Sequence, residues 1–223
     1  MIHNSKHMTF HIITLFPEVF DGYFKESIIG KAIKKRRIKI KFYDIRKFSK
    51  DKKHNKVDDK PYGGGPGMVL EVEPIVRAVN KAIRGKKDTK IILFSAGGKQ
   101  FDNNTAMRLA KYKNIVLIAG RYEGIDERIK KIFPVEEISI GPYVLTGGEV
   151  PAMVVVDAVS RQIKGVLGKK ESLEEERYGV GVPTYTRPET FKYKKKEYKV
   201  PKVLLSGNHS EIEKWRKAHR KSK

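Results

Sequence analysis

The chain alternates between two hydrophobic periods. Residues 10–15 are apolar and β-branched and run into Pro17, which predicts a buried strand. A helical stretch over 17–35 follows, with Phe20, Phe24, Ile28 and Ile29 along one face. Residues 38–43 alternate as a strand, and 47–67 lack any period, ending in Pro61-Tyr62-Gly63-Gly64-Gly65-Pro66-Gly67, a loop composition. Ile75, Val76, Val79 and Ile83 then mark a helix over 73–84. Strands are predicted at 90–95, 114–119 and 135–140, and helices at 103–112, 124–133 and 151–163. Strands alternating with helices predict an α/β fold, a mostly parallel sheet covered by helices on both faces.

The pattern changes after Gly168. Residues 169–183 carry clustered charge and then glycine and valine, a linker composition. The tail is basic, with Tyr193 and Tyr198 interleaved, and ends in an amphipathic helix whose capping box is read as Ser210 and Glu213. Four parts are therefore expected. Residues 1–7 are a tag or disordered start, 8–168 a catalytic domain, 169–184 a flexible linker, and 185–223 a small helical domain.

Composition adds a partner class. With 48 Lys and Arg against 26 Asp and Glu, the 223 residues carry a formal charge of +22. Fourteen basic and four acidic residues lie in 31–60, and thirteen and four in 185–223, with a nearly balanced middle. Basic regions flanking a neutral centre fit a polyanion footprint, since neutralising phosphates releases condensed counterions. There is no cysteine, so disulfides and zinc–thiolate sites are excluded and a cytoplasmic location is expected. No signal peptide or membrane-length apolar run is read.

Candidate chemistry sits where strands end, the usual place for ligands in open α/β sheets. Three such ends carry glycine: Ser95-Ala96-Gly97-Gly98, Gly120-Arg121-Tyr122-Glu123-Gly124, and the segment from Ile140 to Glu149 with Gly141, Gly147 and Gly148. Together they predict a pocket for a nucleoside-sized cofactor whose backbone approaches the ligand closely. Dinucleotide and Walker-type phosphate fingerprints are missing, and the six histidines are scattered, so no metal site is expected.

Several blocks carry a resemblance. Asp58-Asp59-Lys60-Pro61-Tyr62-Gly63-Gly64-Gly65-Pro66-Gly67-Met68 and Gly120-Arg121-Tyr122-Glu123-Gly124-Ile125-Asp126-Glu127-Arg128 come first. They are followed by Ser139-Ile140-Gly141, Tyr143-Val144-Leu145-Thr146-Gly147-Gly148-Glu149 and Pro151-Ala152-Met153. Tyr185-Thr186-Arg187-Pro188 and Leu205-Ser206-Gly207-Asn208-His209 close the series, before Trp215. In this order they resemble the bacterial tRNA (guanine-N1)-methyltransferases, knotted methyltransferases of the SPOUT type.

The resemblance implies a trefoil knot, a homodimer, tRNA as partner and S-adenosylmethionine as cofactor. It also implies methylation of N1 of the guanosine just 3′ of the anticodon. The cofactor would be held by Leu93, Phe94, Ser95, Ala96, Gly98, Gly120, Tyr122, Glu123, Gly124, Ile140, Tyr143, Leu145, Gly147 and Gly148. Arg161 matches the family's arginine that stabilises charge on guanine O6; as a bland alternative, it complements a helix dipole. Arg121, Asp126, Glu127 and Arg128 have a similar alternative, as paired surface charges on a helix.

The family's aspartate base falls on Glu176 in an ungapped count, within Glu174-Glu175-Glu176, so the carboxylate is retained on a longer stem. The following linker is shorter than the family's usual one. Two other functions remain open on sequence alone: a knotted methyltransferase with another RNA target position, and a non-catalytic tRNA-binding relative.

Overall fold

The computed structural model describes residues 7–167 and 181–220. They fall into two compact units that divide between Val166 and Leu167.

The first unit opens with strand β1 (Met8–Thr14), every residue of which is buried. A 3-10 turn at Pro17–Phe20 leads to the short helix α1 (Asp21–Phe24) and then α2 (Ser27–Lys34). The single helix expected over 17–35 is thus broken. Pro17 starts a tight turn, and Ser27 adopts φ 49°, a left-handed conformation that interrupts the backbone ladder. Strand β2 (Ile38–Asp44) and a 3-10 turn at Ile45–Phe48 follow. The aperiodic segment is irregular apart from two short pieces, β3 (Asp58–Asp59) and β4 (Val69–Leu70), which pair antiparallel.

Helix α3 (Val72–Ile83) precedes β5 (Thr89–Gln100), α4 (Asn103–Leu109), β6 (Asn114–Ile118), α5 (Ile129–Ile132), β7 (Val135–Ser139) and α6 (Glu149–Arg161). Two corrections follow. The helix expected over 124–133 shrinks to four residues, because 123–126 bond instead to the segment 68–70: Glu123 N–H to Met68 O at 3.0 Å and Asp126 N–H to Leu70 O at 3.1 Å. Ser95 to Gly98 is a bulge inside β5 rather than a loop beyond it. The register with β7 jumps between Phe94 and Lys99, so the chain loops out and rejoins the same neighbour.

The five long strands form one sheet in the order β2-β1-β6-β5-β7, all parallel. Alternating side chains divide the core between two faces. Phe10, Ile12, Ile92, Ile115 and Leu117 meet Ile29 of α2, Leu109 of α4 and Val155, Val156 and Val159 of α6. Ile13, Ile91, Leu93, Val116 and Ile118 meet Ile75, Ala78, Val79 and Ala82 of α3. Full burial of each large aliphatic side chain contributes about 1.5–3 kcal/mol, which explains why strands sandwiched on both faces read as continuous apolar runs. The α/β reading holds.

The second unit is not purely helical. Strands β8 (Thr190–Tyr193) and β9 (Lys196–Lys199) form an antiparallel hairpin ahead of α7 (Lys202–Leu205) and α8 (His209–Ala218). The capping box is also corrected. Asn208 is the N-cap, its side chain accepting from Glu211 N–H at 3.3 Å, so Ser210 already lies within the helix. Trp215 of α8 stacks on His219, centroids 4.2 Å apart, and meets Tyr185 at 6.3 Å. No helix among the described residues is long and apolar enough to cross a membrane.

One titratable residue is wholly enclosed in β1. His11 is 0% exposed; its Nδ1 lies 2.9 Å from Tyr43 Oη, and its Nε2 lies 3.3 Å from Asn114 Oδ1. A neutral ring satisfies both contacts, accepting at Nδ1 and donating at Nε2. Burial lowers its pKa to about 4 from 6.5; the Asn114 bond opposes the shift, and Lys86 and Lys41 add to it. The unfolded chain therefore binds a proton below 6.5 that the folded chain refuses until about 4, so stability falls as pH drops through that window. Between pH 6.5 and 5 the loss should reach up to about 2 kcal/mol. Urea unfolding of the native chain and of His11→Gln checks this. The substitution should flatten that part of the profile, and an unchanged slope would remove His11 as its source.

Candidate active site

The site is built at the bulge of β5 and the carboxyl ends of β6 and β7. Leu93 to Ala96 enter the bulge of β5, Gly120 to Gly124 follow β6, Ile138 to Ile140 end β7, and Tyr143 to Gly148 lead into α6. All of them line one cleft of about 270 Å³. Every cofactor-binding residue expected from sequence lies along it except Gly98. Gly98 instead packs on the sheet. A Cβ there would stand 2.8 Å from the backbone of Glu137 and Ile138, which only glycine avoids where the bulge crosses β7.

The turns are fastened together by backbone. Gly148 N–H donates to Gly120 O at 2.9 Å, Arg121 and Gly147 form an antiparallel bridge, and Ala119 N–H donates to Ile13 O at 2.9 Å. A Cβ on Gly148 would lie 2.6 Å from Ala119 Cα and 2.9 Å from Gly120 N, so this position must be glycine for the turns to touch.

A buried carboxylate ties the same place to the first strand. Glu149, 3% exposed, accepts from Thr14 Oγ1 at 2.8 Å and from Arg121 Nε at 2.9 Å. The Arg121 guanidinium also reaches Thr146 O at 3.4 Å and lies over the Phe16 ring at 4.8 Å, with Arg46 5.1 Å from that ring. Sequence reasoning quoted Glu149 only as part of a motif and gave it no role, and it missed Thr14 altogether. An acidic residue at the first position of an apolar helix is ordinary, so nothing local distinguishes this one.

The walls combine apolar and charged groups. Glu123 and Glu127 line the cleft, as do Lys130 and Glu137, neither of which was expected from sequence. Lys130 pairs with Glu127 and Glu137, each at 2.8 Å, and these two carboxylates raise its pKa. Asp126 pairs with Arg128, which lowers the Asp126 pKa, so the bland reading of Arg128 as a paired surface charge holds. Tyr122 has φ 60°, and its phenol pKa is raised by burial and then by Asp58.

Of the catalytic pair expected from sequence, only Arg161 is among the described residues. Arg161 is the last residue of α6, about 18 Å along the helix axis from Glu149, and does not line the cleft. Glu176 and Glu175 lie outside the described residues.

The sequence profile of the family described as tRNA (Guanine-1)-methyltransferase TrmD matches residues 8–223. The chain belongs to this family. A tRNA (guanine-N(1)-)-methyltransferase of Dictyoglomus turgidum is 51% identical over 209 residues, covering 92% of this chain and 82% of the relative. One from Clostridioides difficile is 46% identical over 94% of this chain and 91% of its own length. A crystal structure of the tRNA (m1G37) methyltransferase from Aquifex aeolicus is 38% identical. It superposes with a TM-score of 0.78, covering 96% of this chain and 89% of the other. Membership gives the cleft its context: the enclosure made by the three turns belongs to a methyltransferase family.

Truncating Glu149 tests the buried clamp. Glu149→Ala leaves the Arg121 guanidinium and the Thr14 hydroxyl without their carboxylate and should destabilise the chain by about 2–4 kcal/mol. Thr14→Val should cost about 1–2 kcal/mol. An unchanged urea midpoint for Glu149→Ala would dismiss the clamp.

Proposed function

We propose that this chain transfers the methyl group of S-adenosylmethionine to N1 of the guanosine on the 3′ side of the anticodon in tRNA, working as a homodimer. The observation that carries the reading is the convergence of the turns at 93–96, 120–124 and 143–148 on one cleft. The cleft also fits the cofactor chemically. Backbone brought close by Gly120, Gly147 and Gly148 offers N–H and C=O groups to the edge of a base, and Leu93, Phe94, Ile140 and Leu145 offer apolar surface to its face. Glu123, resting where Gly67 has no side chain, presents a carboxylate to a ribose diol.

When bound, the cofactor supplies a methyl group on a sulfonium, already electrophilic. What remains for the protein is to align guanine N1 with it, remove the N1 proton and stabilise the charge that spreads to O6. Glu176 is assigned the proton and Arg161 the charge.

A dimer answers the distance problem. Val150 and Val154 are 54% and 40% exposed, and helical spacing puts them on one side of α6 with Asp157 and Arg161. An apolar stripe beside the site supports a two-fold contact between copies of α6. Antiparallel copies bring the carboxyl end of one helix, with Arg161, to the amino end of the other, where the partner's cleft opens. The trefoil knot belongs to the same reading; the bonds joining 120–121 to 147–148 support it, since they hold the two turns against each other. Residues 185–223 are assigned to tRNA binding.

Radiolabelled methyl transfer to a tRNA transcript tests the reading: incorporation is expected, and replacing the target guanosine by adenosine should abolish it. Persisting incorporation would move the target elsewhere, and tRNA binding without transfer would leave a binding protein. Glu176→Ala should stop transfer while cofactor affinity stays within about three-fold; retained transfer would pass the base role to Glu175. Gly148→Ala should weaken cofactor binding by about ten-fold or more, read by calorimetry, because the added methyl pushes two turns apart. Undiminished affinity would take the cofactor away from this cleft.

A further inference from the structure

The β8–β9 hairpin has two unlike faces, and its register defines them. Phe191 stands opposite Tyr198 and Tyr193 opposite Lys196, while Thr190 faces Lys199 and Lys192 faces Glu197. Because side chains alternate along a strand, Phe191, Tyr193, Tyr198 and Lys196 share one face, and Thr190, Lys192, Glu197 and Lys199 share the other. The three aromatic rings are 58%, 56% and 54% exposed. A two-stranded hairpin that leaves three rings uncovered has gained nothing from burying them, which marks a surface awaiting a partner.

Charge identifies the partner. The hairpin's single carboxylate, Glu197, sits on the other face and pairs with Lys192 at 3.1 Å and Lys199 at 3.3 Å. Lys194, Lys195 and Lys196, at the tip, form no ion pair among the described residues. The Lys194 ammonium lies 5.6 Å from the centre of the Tyr193 ring. Aromatic rings flanked by unneutralised lysines suit a ligand with flat π-faces joined by anions, which describes unpaired nucleotides. A membrane surface would want aliphatic depth, and an acidic peptide has no use for three exposed rings on one face.

We propose that this hairpin is a nucleotide-stacking platform: unpaired bases of the substrate RNA lie on Phe191, Tyr193 and Tyr198, and their phosphates meet Lys194, Lys195 and Lys196. The inference rests on the tRNA-methyltransferase reading and deepens it, since it names the part of the RNA, a loop or a splayed strand, that the second unit grips. The two kinds of contact separate experimentally. Stacking is nearly independent of salt, whereas each phosphate contact steepens the salt dependence of binding.

The test uses the full chain and a tRNA transcript. Phe191→Ala, Tyr193→Ala and Tyr198→Ala together should raise the tRNA Kd and KM by about ten-fold or more. The turnover at saturating tRNA, the cofactor affinity and the slope of log Kd against log salt should stay as they were. Lys194→Gln, Lys195→Gln and Lys196→Gln together should lower that slope by about 2. Tyr193→Phe with Tyr198→Phe keeps the rings and should restore native affinity. In the unsubstituted protein, bound tRNA should protect Tyr193 and Tyr198 from nitration, a readout that needs no variant to fold. Native affinity in the triple alanine variant, or tyrosines nitrated equally with and without tRNA, would overturn the proposal. So would a change of oligomeric state in the alanine variant, which would assign the face to contact between copies. If the unsubstituted chain methylates tRNA while these effects are missing, the stacking platform alone falls; if it neither binds nor methylates tRNA, the parent reading falls with it.

Discussion

The site depends on one close approach, that of the turn entering α6 to the turn leaving β6. Gly148 N–H reaches Gly120 O at 2.9 Å only because neither a Cβ nor a side chain stands between them. That contact makes one cavity out of what would otherwise be two separate loops. Glu149 then draws Thr14 and Arg121 to the same point, so β1 is fastened to the loops as well. A buried carboxylate held by a hydroxyl and a guanidinium contributes little net stability compared with an apolar filler. It is costly to break, and it permits one arrangement only. The clamp and the backbone bond therefore act on the same two turns of the cleft.

The rest of the unit is arranged to make that approach reproducible. A fully buried β1 and the parallel ladder on both sides of it fix where β5, β6 and β7 end, and hence where the loops begin. Apolar cores on both faces keep the strands from slipping, because a one-residue shift would exchange Ile12 for Ile13 between two packed layers. The bulge at 95–98 turns β5 toward the cleft and still returns it to β7. Charge is divided differently: inside the cleft Lys130 is shared by two glutamates, whereas the hairpin of the second unit leaves its tip lysines without acids. An ammonium already shared by carboxylates draws no polyanion, whereas lysines without acids on a surface do.

Some of this was legible in the residues. Phe10, Ile12, Ile115 and Leu117 lie in short apolar runs that read as buried strands, and the alternation of such runs with helical periods carried the α/β class. Gly120 and Gly148 pointed to the site because glycine at a strand end signals backbone in close quarters. Other features escaped. The break at Ser27 comes from a left-handed backbone that helical spacing does not reveal, and the short α5 depends on tertiary competition, with 123–126 bonding to 68–70 instead of to their own helix. The sequence shows at 190–199 only a basic, tyrosine-bearing tail, since five of the eight strand positions are polar or charged and the other three are aromatic rather than aliphatic.

Sequence by itself determined the fold class, the family and most of the residues that line the cleft, because those follow from periodicity and from residues that tolerate only one backbone geometry. Only the tertiary structure decided that Gly98 serves the sheet while Gly148 serves the cleft, that Glu149 is a buried clamp, and that Arg161 stands a helix length from its own pocket. The reason is physical. A local pattern records what a residue prefers, but a distance between positions 14 and 149, or 120 and 148, exists only after strands far apart in the chain have been paired.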